Sequence, residues 1–588
     1  MPPFTKVLVA NRGEIAVRVM RTLRELEVET VAVYSEADRG ALHPAIADEA
    51  FLLGPGPAGE SYLRGDLIIE VALRAGAEAI HPGYGFLAEN PAFARDIEAA
   101  GLVWIGPPAD AIEAMGSKIA ARARMRDAGV PVVPGTTAPA GSAGDVLAAA
   151  DEIGYPVAVK ASAGGGGKGL RVARSPDDVE RAFEAAQREG EAYFADSAVY
   201  VERYLDDPRH VEVQILADGH GNVIHLGERD CTIQRRHQKL VEETPSPAVG
   251  AELRAHIGAL AVEAARAVAY RSAGTIEGLL TADGEYFFLE MNTRVQVEHT
   301  VTEAVTGIDI VREQVLVASG EPLSITQEDV ALRGHAIECR INAEDAARGF
   351  LPAPGRITVY REPSGIGVRV DSGVRGGDEI SGLYDPLIAK LIVHDVDREH
   401  ARRRMLRALE EFVIDGPASL LGFHRALLET PCFVSGGTCN GVVESEELAR
   451  RAQKLQEQPG RRSGGGVAAA TDGREQLVSV EIDGRRHEVR IHAPEPPWAE
   501  AARRHKERSK GIAGNATGAV ASPMQGTVLS VAVAVGSEIK AGELICVVEA
   551  MKMENELVAH RDGIVAELRV VPGQPVALGD VVCVIDAR

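Results

Sequence analysis

Cysteine is scarce in this chain, which has only 6 cysteines among 588 residues. No two of them form a Cys-x-x-Cys pair, and none clusters with histidine in the sequence. The sequence therefore predicts neither a disulfide framework nor a structural zinc site. Cys432 and Cys439 are the pair nearest in sequence, and we expect both to be free thiols.

Long apolar runs and excess positive charge are also missing. No run of about 18 apolar residues occurs, so we expect no transmembrane helix. The N-terminus enters an apolar strand near Lys6 without the basic, apolar and small-residue regions of a secretion signal. The net charge is −23, which disfavours binding to nucleic acid. We expect a cytoplasmic protein that binds neither membranes nor nucleic acid.

The length and composition allow several domains. The chain is 45% hydrophobic, and at about 100 to 200 residues per domain it has room for three to five. Strand-like and helix-like segments alternate over the first 110 residues, which predicts a parallel α/β sheet. Residues 455–475 and 502–520 are rich in Gly, Ala and Arg and resemble linkers. Between them, alternating residues 477–493 predict a short hairpin.

The C-terminal region contains an internal repeat. Residues 526–550 align without a gap with residues 563–587, a shift of 37. Short Val, Ile and Leu runs separated by glycine predict a small β-sandwich with pseudo-twofold symmetry. Lys552 lies at the joint between Met551 and Met553, where a hairpin tip would present it for modification by another enzyme. The alternative is an ordinary exposed lysine.

A glycine-rich segment lies in the middle of the chain. GGGGKG, from Gly164 to Gly169, follows the apolar residues Pro156 to Lys160. Consecutive glycines let backbone N–H groups wrap a phosphate, to which Lys168 adds positive charge. Gly169 and then Leu170 follow Lys168, where a Walker loop would end in Lys-Ser or Lys-Thr. We interpret the segment as a lid over a nucleotide, and a flexible turn is the alternative.

A polar segment, residues 290–299 (EMNTRVQVEH), follows the apolar residues 286–289. In an extended chain, alternate side chains point to one face. That face would hold two carboxylates, two amides and a guanidinium, namely Glu290, Asn292, Arg294, Gln296 and Glu298. With Glu277, these groups suit Mg²⁺ or Mn²⁺ shared with nucleotide phosphates. A solvated polar strand face is the alternative.

A second polar run, QRRHQK, spans residues 234–239. Its side chains donate hydrogen bonds and several carry positive charge, which suits an anionic substrate. A basic run on an ordinary surface is the alternative.

Two parts of the chain resemble one enzyme group. Residues 550–553 (AMKM) match the acceptor tetrapeptide of the biotinyl domain of biotin-dependent carboxylases, whereas lipoyl domains usually carry Asp-Lys-Ala. Residues 4–446 resemble biotin carboxylase, an ATP-grasp enzyme. The matching motifs are ANRGEIA (10–16), HPGYGFLAEN (81–90), KASAGGGGKG (160–169), ERDCTIQRRHQK (228–239), EMNTRVQVEH (290–299) and GHAIECRINAED (334–345). Thr300, where the family usually has proline, and residues 412–423 depart from the pattern.

The resemblance implies a multi-domain fold. It consists of an α/β N-terminal domain, an α+β ATP-grasp domain, an α+β C-terminal subdomain, a linker and an all-β biotinyl domain, a flattened barrel or sandwich. The implied bounds are 1–115, 116–333 with a glycine-rich lid at about 131–204, 334–446, 447–516 and 517–588.

The resemblance also implies roles for individual residues. Glu298 would be the general base on bicarbonate, and Arg340, Lys239 and Arg294 would be its catalytic companions. The residues expected to bind ATP are Lys118, Lys160, Gly165, Gly166, Gly167, Glu202, Leu205, His210, Gln234 and His237. Those expected to position bicarbonate and biotin are Lys239, Arg294, Gln296, Val297, Tyr84 and Arg340. Two Mg²⁺ or Mn²⁺ ions would bind Glu277, Glu290 and Asn292, and Lys552 would carry covalent biotin.

The implied activity is ATP- and bicarbonate-dependent carboxylation of biotin on the chain's own carrier domain. A separate carboxyltransferase β subunit would then carboxylate a short acyl-CoA such as acetyl- or propionyl-CoA. Pyruvate and urea carboxylases join the transferase to the same chain, and no stretch of about 200 unassigned residues remains here. Expected partners also include biotin protein ligase, and we expect a homo-oligomer or a hetero-oligomeric holoenzyme. Two alternatives stay open: an inactive carrier or scaffold, and an ATP-grasp ligase of another acid with a lipoyl-type domain.

Overall fold

The computed structural model describes residues 2–136, 139–161, 170–194, 199–236, 238–457, 473–482, 485–494, 518–550, 553–577 and 579–586. The chain divides into two compact units, residues 1–458 and 459–588. No helix among these described residues is both long and apolar enough to cross a membrane.

The first unit begins with a five-stranded parallel sheet in the order β3-β2-β1-β4-β5. Its strands are β1 (Lys6–Val9), β2 (Glu29–Ser35), β3 (Glu49–Gly54), β4 (Ala79–His81) and β5 (Val103–Trp104). The helices between and after them are α1 (Gly13–Glu25), α2 (Leu42–Ile46), α3 (Gly65–Ala75), α4 (Pro91–Ala99) and α5 (Ala109–Gly116). Val7 and Leu8 belong to different apolar clusters, as expected for a sheet covered on both faces. The predicted parallel α/β sheet is confirmed.

A small antiparallel sheet follows, in the order β7-β6-β8. Its strands are β6 (Val157–Ala161), β7 (Leu170–Ala173) and β8 (Val199–Arg203). Helices α6 (Lys118–Asp127) and α7 (Ala143–Ile153) precede β6 in the chain, and α8 (Pro176–Phe194) lies between β7 and β8. Val157, Val159 and Val201 are buried against these helices. Because β6 and β7 are neighbours in the sheet, the glycine segment joins the ends of two adjacent strands.

An eight-stranded sheet forms the centre of the first unit, in the order β13-β12-β9-β10-β11-β14-β21-β19. Its strands are β9 (Arg209–Ala217), β10 (Val223–Arg235), β11 (Gln238–Thr244), β12 (Ser272–Leu280), β13 (Tyr286–Asn292), β14 (His335–Asn342), β19 (Val368–Ser372) and β21 (Leu387–Asp395). Strand β11 pairs with β14, so one sheet continues across residues 333–334, where the sequence suggested a domain boundary.

Helices and short strands complete this unit. The helices are α9 (Ala251–Arg266), α10 (His299–Thr306), α11 (Ile310–Ala318), α12 (Arg398–Glu411), α13 (Leu421–Leu428), α14 (Pro431–Val434) and α15 (Glu446–Glu457). The short strands are β15 (Glu344–Asp345), β16 (Leu351–Pro352), β17 (Gly355–Arg356), β18 (Val359–Arg361), β20 (Glu379–Ile380) and β22 (Val413–Asp415).

Cys432 and Cys439 form a disulfide in the structure, so the prediction of two free thiols is wrong. Cys432 lies in α14, and the chain turns back after this short helix until the two Cα atoms are 5.5 Å apart. This separation is within the range that a disulfide spans. The spacing in sequence could not predict the pair, because the turn after α14 alone brings the cysteines together. Cys231, Cys339, Cys546 and Cys583 are buried free thiols.

The second unit contains a hairpin and a symmetric pair of sheets. Strands β23 (Gly473–Ile482) and β24 (Arg485–Pro494) pair antiparallel and extend beyond the predicted hairpin at 477–493. The two four-stranded sheets have the orders β25-β32-β30-β27 and β29-β28-β26-β31. Their strands are β25 (Ala519–Ala521), β26 (Gly526–Val531), β27 (Glu538–Ile539), β28 (Leu544–Ala550), β29 (Met553–Val558), β30 (Gly563–Leu568), β31 (Pro575–Val576) and β32 (Val581–Asp586).

The two sheets confirm the repeat. A shift of 37 residues carries β26 onto β30 and β27 onto β31, and it carries the first residue of β28 onto that of β32. Each sheet therefore takes the same elements in the same order, as the pseudo-twofold prediction requires. Strands β28 and β29 are antiparallel neighbours that meet at Ala550 and Met553. Met551 and Lys552, between them, lie outside the described residues.

Candidate active site

Lys239 is the centre of a buried cluster of charges. Its Nζ lies 2.5 Å from Glu212 Oε2, 2.9 Å from Glu277 Oε1 and 2.5 Å from Glu298 Oε1. Burial opposes the charge, but Glu212, Glu298 and Glu277 together raise the pKa of Lys239 well above its ordinary value. The lysine is therefore cationic at neutral pH and neutralises part of the surrounding carboxylate charge.

Glu277 lies on β12 and is surrounded by hydrogen-bond donors. Asn292 Nδ2 donates to its Oε1 at 2.8 Å and Gln296 Nε2 at 2.7 Å, while His210 Nε2 lies 2.8 Å from its Oε2. Burial alone would raise the pKa of this carboxyl, but Lys239 and His210 hold it well below the usual value. Glu277 is thus a buried, ionised carboxylate on β12.

Glu298 is held between two cations. Besides Lys239, Arg340 Nη2 lies 2.9 Å from its Oε2. Burial disfavours the charged form, yet Lys239, Arg340 and Arg229 lower the pKa of the Glu298 carboxyl far below its ordinary range. Arg340 also bonds to Glu242 on the neighbouring strand, from its Nε to Oε1 at 2.6 Å. Lys239 from β11 and Arg340 from β14 therefore both contact the Glu298 carboxylate, which lies in the turn before α10.

Arg229 on β10 links several members of this cluster by hydrogen bonds. Its side chain is completely buried. Its guanidinium donates to Glu212 Oε1 at 2.6 Å and to Gln296 Oε1 at 2.8 Å. It also donates to Gln214, Thr275 and Thr302. The sequence assigned no role to Arg229, Glu212 or Glu242. The available signal was a charged residue inside a strand, and it is clearest for Glu212, which lies between Val211 and Val213.

Two of the residues expected to bind nucleotide, Lys160 and Glu202, belong to a second group of charges centred on Glu202 of β8. Lys160 Nζ on β6 and Arg122 Nη1 on α6 both contact its carboxylate. Burial opposes ionisation of Glu202, but Lys160 and Arg122 lower its pKa. Leu205, also expected to bind nucleotide, is buried in an apolar cluster with Val133 and Phe287. The sequence did not identify Arg122.

Tyr84 lies in the loop after β4, where its hydroxyl donates to Glu14 Oε1 on α1. Burial and the nearby Glu14 carboxylate raise the pKa of Tyr84 well above its ordinary value, so the hydroxyl keeps its proton. Glu14 in turn lies 3.2 Å from Lys390 Nζ on β21. The α/β segment at the N-terminus is thus linked to the central sheet.

The polar segment after β13 differs from the prediction of one extended face. Strand β13 ends at Asn292, and the chain then turns until α10 begins at His299. Asn292 and Gln296 reach Glu277, whereas Arg294 bonds to Glu89 and to Asn292 Oδ1. Glu290 lies opposite Glu277 in the strand register. The groups converge because the turn after β13 folds them towards β12 and β11.

The basic run 234–239 spans a hairpin between two strands. Strand β10 ends at Arg235 and β11 begins at Gln238, and Gln234 lies opposite Lys239 in their register. Arg235 donates to Gly349 O at 2.9 Å and covers the ring of Phe350. Gln234 Nε2 donates to Cys231 O at 2.7 Å. Of this run, Lys239 enters the carboxylate cluster.

Several predicted site residues fall outside the part of the chain that the structure describes. These are Gly165, Gly166, Gly167, His237 and Lys552, and for Lys118, which begins α6, the side chain. Thr300, where the sequence departs from the family pattern, is buried and its hydroxyl donates to Glu338. A proline at this position could not make that bond.

The donor set on β12 and β13 fits a magnesium ion. Glu277 is ionised and paired in register with Glu290, and Asn292 adds an amide oxygen at the end of the same strand. Mg²⁺ prefers such oxygen ligands and binds them together with substrate phosphates. His210, Glu212 and Glu277 also place one ligand atom each within 4.8 Å of one another. Such an ion would neutralise phosphate charge beside Lys239.

Models of known protein families match most of the chain. The biotin carboxylase N-terminal domain matches residues 3–112, and the biotin carboxylase C-terminal domain matches residues 338–445. The ATP-binding domain of the carbamoyl-phosphate synthase L chain matches residues 117–326, between them. The chain belongs to the biotin carboxylase family. Its residues 518–585 match the domain of biotin-requiring enzymes.

Relatives of this biotin carboxylase include chains of similar organisation. It is 46% identical to the biotin-dependent acyl-coenzyme A carboxylase alpha3 subunit of Mycobacterium leprae, over 96% of this chain and 95% of that one. It is 39% identical to the propionyl-CoA carboxylase alpha chain of Ruegeria pomeroyi, over 96% and 97% of the two chains. It is also 54% identical to a pyruvate carboxylase subunit of Methanothermobacter thermautotrophicus, over 74% and 88%.

Solved structures agree with this assignment. The biotin carboxylase of Campylobacter jejuni, in a β,γ-ATP complex, superposes with a TM-score of 0.71 at 44% identity, covering 74% of this chain and 98% of that one. The biotin carboxylase domain of a thermophilic 2-oxoglutarate carboxylase bound to bicarbonate gives 0.72 at 44% identity, covering 77% and 99%. This chain is therefore a ligase with an ATP-grasp domain that carboxylates biotin at the expense of ATP and carries a biotinyl domain. Its cofactors are biotin, ATP and Mg²⁺.

Proposed function

We propose that this enzyme carboxylates biotin held on its own Lys552 and passes the carboxyl group to a separate carboxyltransferase subunit that acts on a short acyl-CoA. The observation that carries the first part is the contact of Glu298 with both Lys239 and Arg340. It gives one ionised carboxylate two cationic neighbours, which suits a site where an anion must be bound and then deprotonated.

Glu298 is the proposed general base. Bicarbonate bound against Lys239 and Arg294 would take up part of the positive charge that now stabilises the Glu298 carboxylate. Its pKa would then rise, because an opposite charge nearby is what holds it low. The carboxylate would accept the bicarbonate proton while the bicarbonate oxygen attacks the γ-phosphate of ATP, and ADP would leave as the bond to its β-phosphate oxygen breaks.

Other residues would bind and orient the reactants. Lys160, with Glu202 beside it, would face the nucleotide, and Lys118 and His210 would add positive charge near its phosphates. Glu277, Glu290 and Asn292 would hold Mg²⁺, which balances phosphate charge when bound. Biotin supplies a ureido nitrogen that receives the carboxyl group. Arg340 would stabilise negative charge on the ureido oxygen, and Tyr84 would line that pocket.

Two relatives support an acyl-CoA as the final acceptor. Both the Mycobacterium leprae and the Ruegeria pomeroyi chains cover this chain almost completely, biotinyl domain included, and their names specify acyl-CoA and propionyl-CoA. The relative from Methanothermobacter thermautotrophicus is named as one subunit of a pyruvate carboxylase. Chain length alone therefore does not exclude pyruvate, and acetyl-CoA, propionyl-CoA and pyruvate should be compared with the purified transferase subunit.

The first experiment measures ADP release by the full-length chain with Mg-ATP, with and without bicarbonate and free biotin. We expect ADP release to require both. Release that ignores biotin would contradict the proposed reaction and favour another acid as substrate. Absence of release from folded, nucleotide-binding protein would favour a carrier without catalytic activity.

A further inference from the structure

Lys390 is a buried lysine for which the proposed reaction gives no role. It lies on β21 and is completely buried. Its Nζ donates to the carbonyl oxygen of Val297 at 2.9 Å and lies 3.2 Å from Glu14 Oε2. Asp371 Oδ2 is 3.9 Å away. Burying an ammonium group is costly unless acceptors surround it. The Val297 carbonyl and the carboxylates of Glu14 and Asp371 therefore stabilise Lys390 at this position.

The Val297 carbonyl connects Lys390 to the reaction. This C=O group shares one rigid peptide plane with the nitrogen of Glu298. Glu298 follows the end of β13 by several residues and immediately precedes α10, so no strand ladder fixes its backbone. A hydrogen bond to the preceding carbonyl therefore orients the peptide from which the Glu298 side chain extends.

The same lysine faces the partner of Glu298. Lys390 and Arg340 are directly opposite in the register of β21 and β14, and opposite residues of an antiparallel pair share a face. Glu14 forms an ion pair with Lys390 through its Oε2 atom and accepts a hydrogen bond from the Tyr84 hydroxyl at Oε1. Lys390 is thus in contact with the turn that carries Glu298 and, through Glu14, with Tyr84.

We propose that Lys390 is a positioning residue, which holds the Val297–Glu298 peptide so that the Glu298 carboxylate meets bicarbonate between Lys239 and Arg340. This inference rests on the proposed role of Glu298 as the base. Lys390 has no exposed surface, so it acts through that peptide and not by a direct contact with a bound anion. Asp371 pairs with Arg369 at 2.7 Å, so balancing the Asp371 charge does not by itself require the lysine.

The test compares Lys390→Met with wild type in the full-length chain. Methionine keeps the length of the side chain and removes the donor. We expect kcat for bicarbonate-dependent ADP release to fall about 10- to 100-fold, as for a misplaced catalytic group. The KM for ATP should change less than about twofold, since the contacts of Lys160 and Glu202 remain. Bicarbonate-independent ATP hydrolysis should also remain.

A double-mutant cycle separates positioning from simple destabilisation. In a Glu298→Gln background the Lys390→Met change should have little further effect, because the group that it positions is already lost. Arg254→Met is the matched control, since it removes an ion pair with the buried Glu228 on the far side of β10. This control should lower Tm without changing kcat or the KM for bicarbonate.

Two outcomes would overturn the inference: a Lys390→Met rate within twofold of wild type, or a loss that remains fully additive with Glu298→Gln. If Glu298→Gln itself retains the wild-type rate, the base assignment fails first, and the two failures are thus distinguishable. If Lys390→Met does not fold, the double variant Glu14→Gln/Lys390→Met is used instead. It also removes the Glu14 carboxylate, which loses the charge of its Lys390 partner in the single variant. The same pattern of kcat loss with retained ATP binding is expected of it.

Discussion

Arg340 Nη2 lies 2.9 Å from Glu298 Oε2, although the two residues are 42 positions apart in the chain. The pair joins β14 of the C-terminal segment to the turn that precedes α10. Because Glu298 also contacts Lys239, one carboxylate connects the region expected to bind bicarbonate with the region expected to bind biotin. The coupling of the two half-reactions would depend on this geometry.

Replacement of the base gives the first prediction. Glu298→Gln keeps the shape of the side chain but cannot accept a proton, so bicarbonate-dependent ADP release should fall at least about 100-fold. ATP binding, measured by a fluorescent nucleotide, should remain, since Glu202 and Lys160 are untouched. A near-normal rate would remove Glu298 from the role of base.

The carrier lysine gives the second prediction. Lys552→Ala should abolish both the mass increase due to biotin and carboxyl transfer to the partner subunit. ADP release with free biotin should persist, because the first unit is unchanged. Lys540→Ala, at an exposed lysine of the same β-sandwich, is the control and should retain both properties. Loss of ATP turnover in Lys552→Ala would contradict the proposed division between the two units.

The disulfide gives the third prediction. Alkylation of the unfolded, unreduced protein should label four cysteines, and mass spectrometry should detect a peptide that links Cys432 to Cys439. In the oxidised protein, Cys439→Ser should lower the free energy of unfolding by about 2 to 3 kcal/mol, because the short loop is no longer closed. The two proteins should unfold alike after reduction. Labelling of all six cysteines without a reductant would refute the bond.

Buried His424 gives the fourth prediction. Its Nε2 lies 2.7 Å from the carbonyl oxygen of Arg340, and burial lowers the pKa of its imidazole to about 4. The folded-state pKa is thus below the unfolded value of about 6.5. As pH falls through this window, the unfolded state binds the proton first, so stability present above pH 6.5 is lost between about pH 6.5 and 4.

His424→Gln should keep the donor to Arg340 and remove this titration. Urea unfolding should show a slope of stability against pH that is shallower by up to about 1.4 kcal/mol per pH unit between pH 6.5 and 4. Both proteins should keep the same slope between pH 7 and 8. Identical slopes at acid pH would show that His424 is not the titrating group.

Local patterns were enough for the repeat and for the first sheet. The match at a shift of 37 predicted the small β-sandwich built from two similar halves, and the structure forms it from two four-stranded sheets. Alternation of strand and helix predicted the parallel order around β1. Short-range spacing sufficed because these features depend on turns and on the period of neighbouring side chains.

The sequence did not predict how the polar segment after β13 is folded. An extended chain would have placed Arg294 and Glu298 on one face of a strand, whereas the chain turns and Arg294 bonds to Glu89. The chain turns after Asn292 because α10 must pack against β14 and β21, and no local pattern specifies that packing. The sequence also did not show that the basic run at 234–239 spans a hairpin, which places Arg235 and Lys239 on different strands.

By itself, the sequence determined the architecture of the carrier segment, the parallel N-terminal sheet and the motifs that identify the enzyme family. Tertiary structure alone decided that Glu212 pairs with both Lys239 and Arg229, and that Glu242 pairs with Arg340. It also decided that Lys390 reaches the Val297 carbonyl and that Cys432 meets Cys439. The physical reason is the range of the interactions. Periodicity reports on residues a few positions apart, whereas buried ion pairs join strands that only the folded sheet brings together.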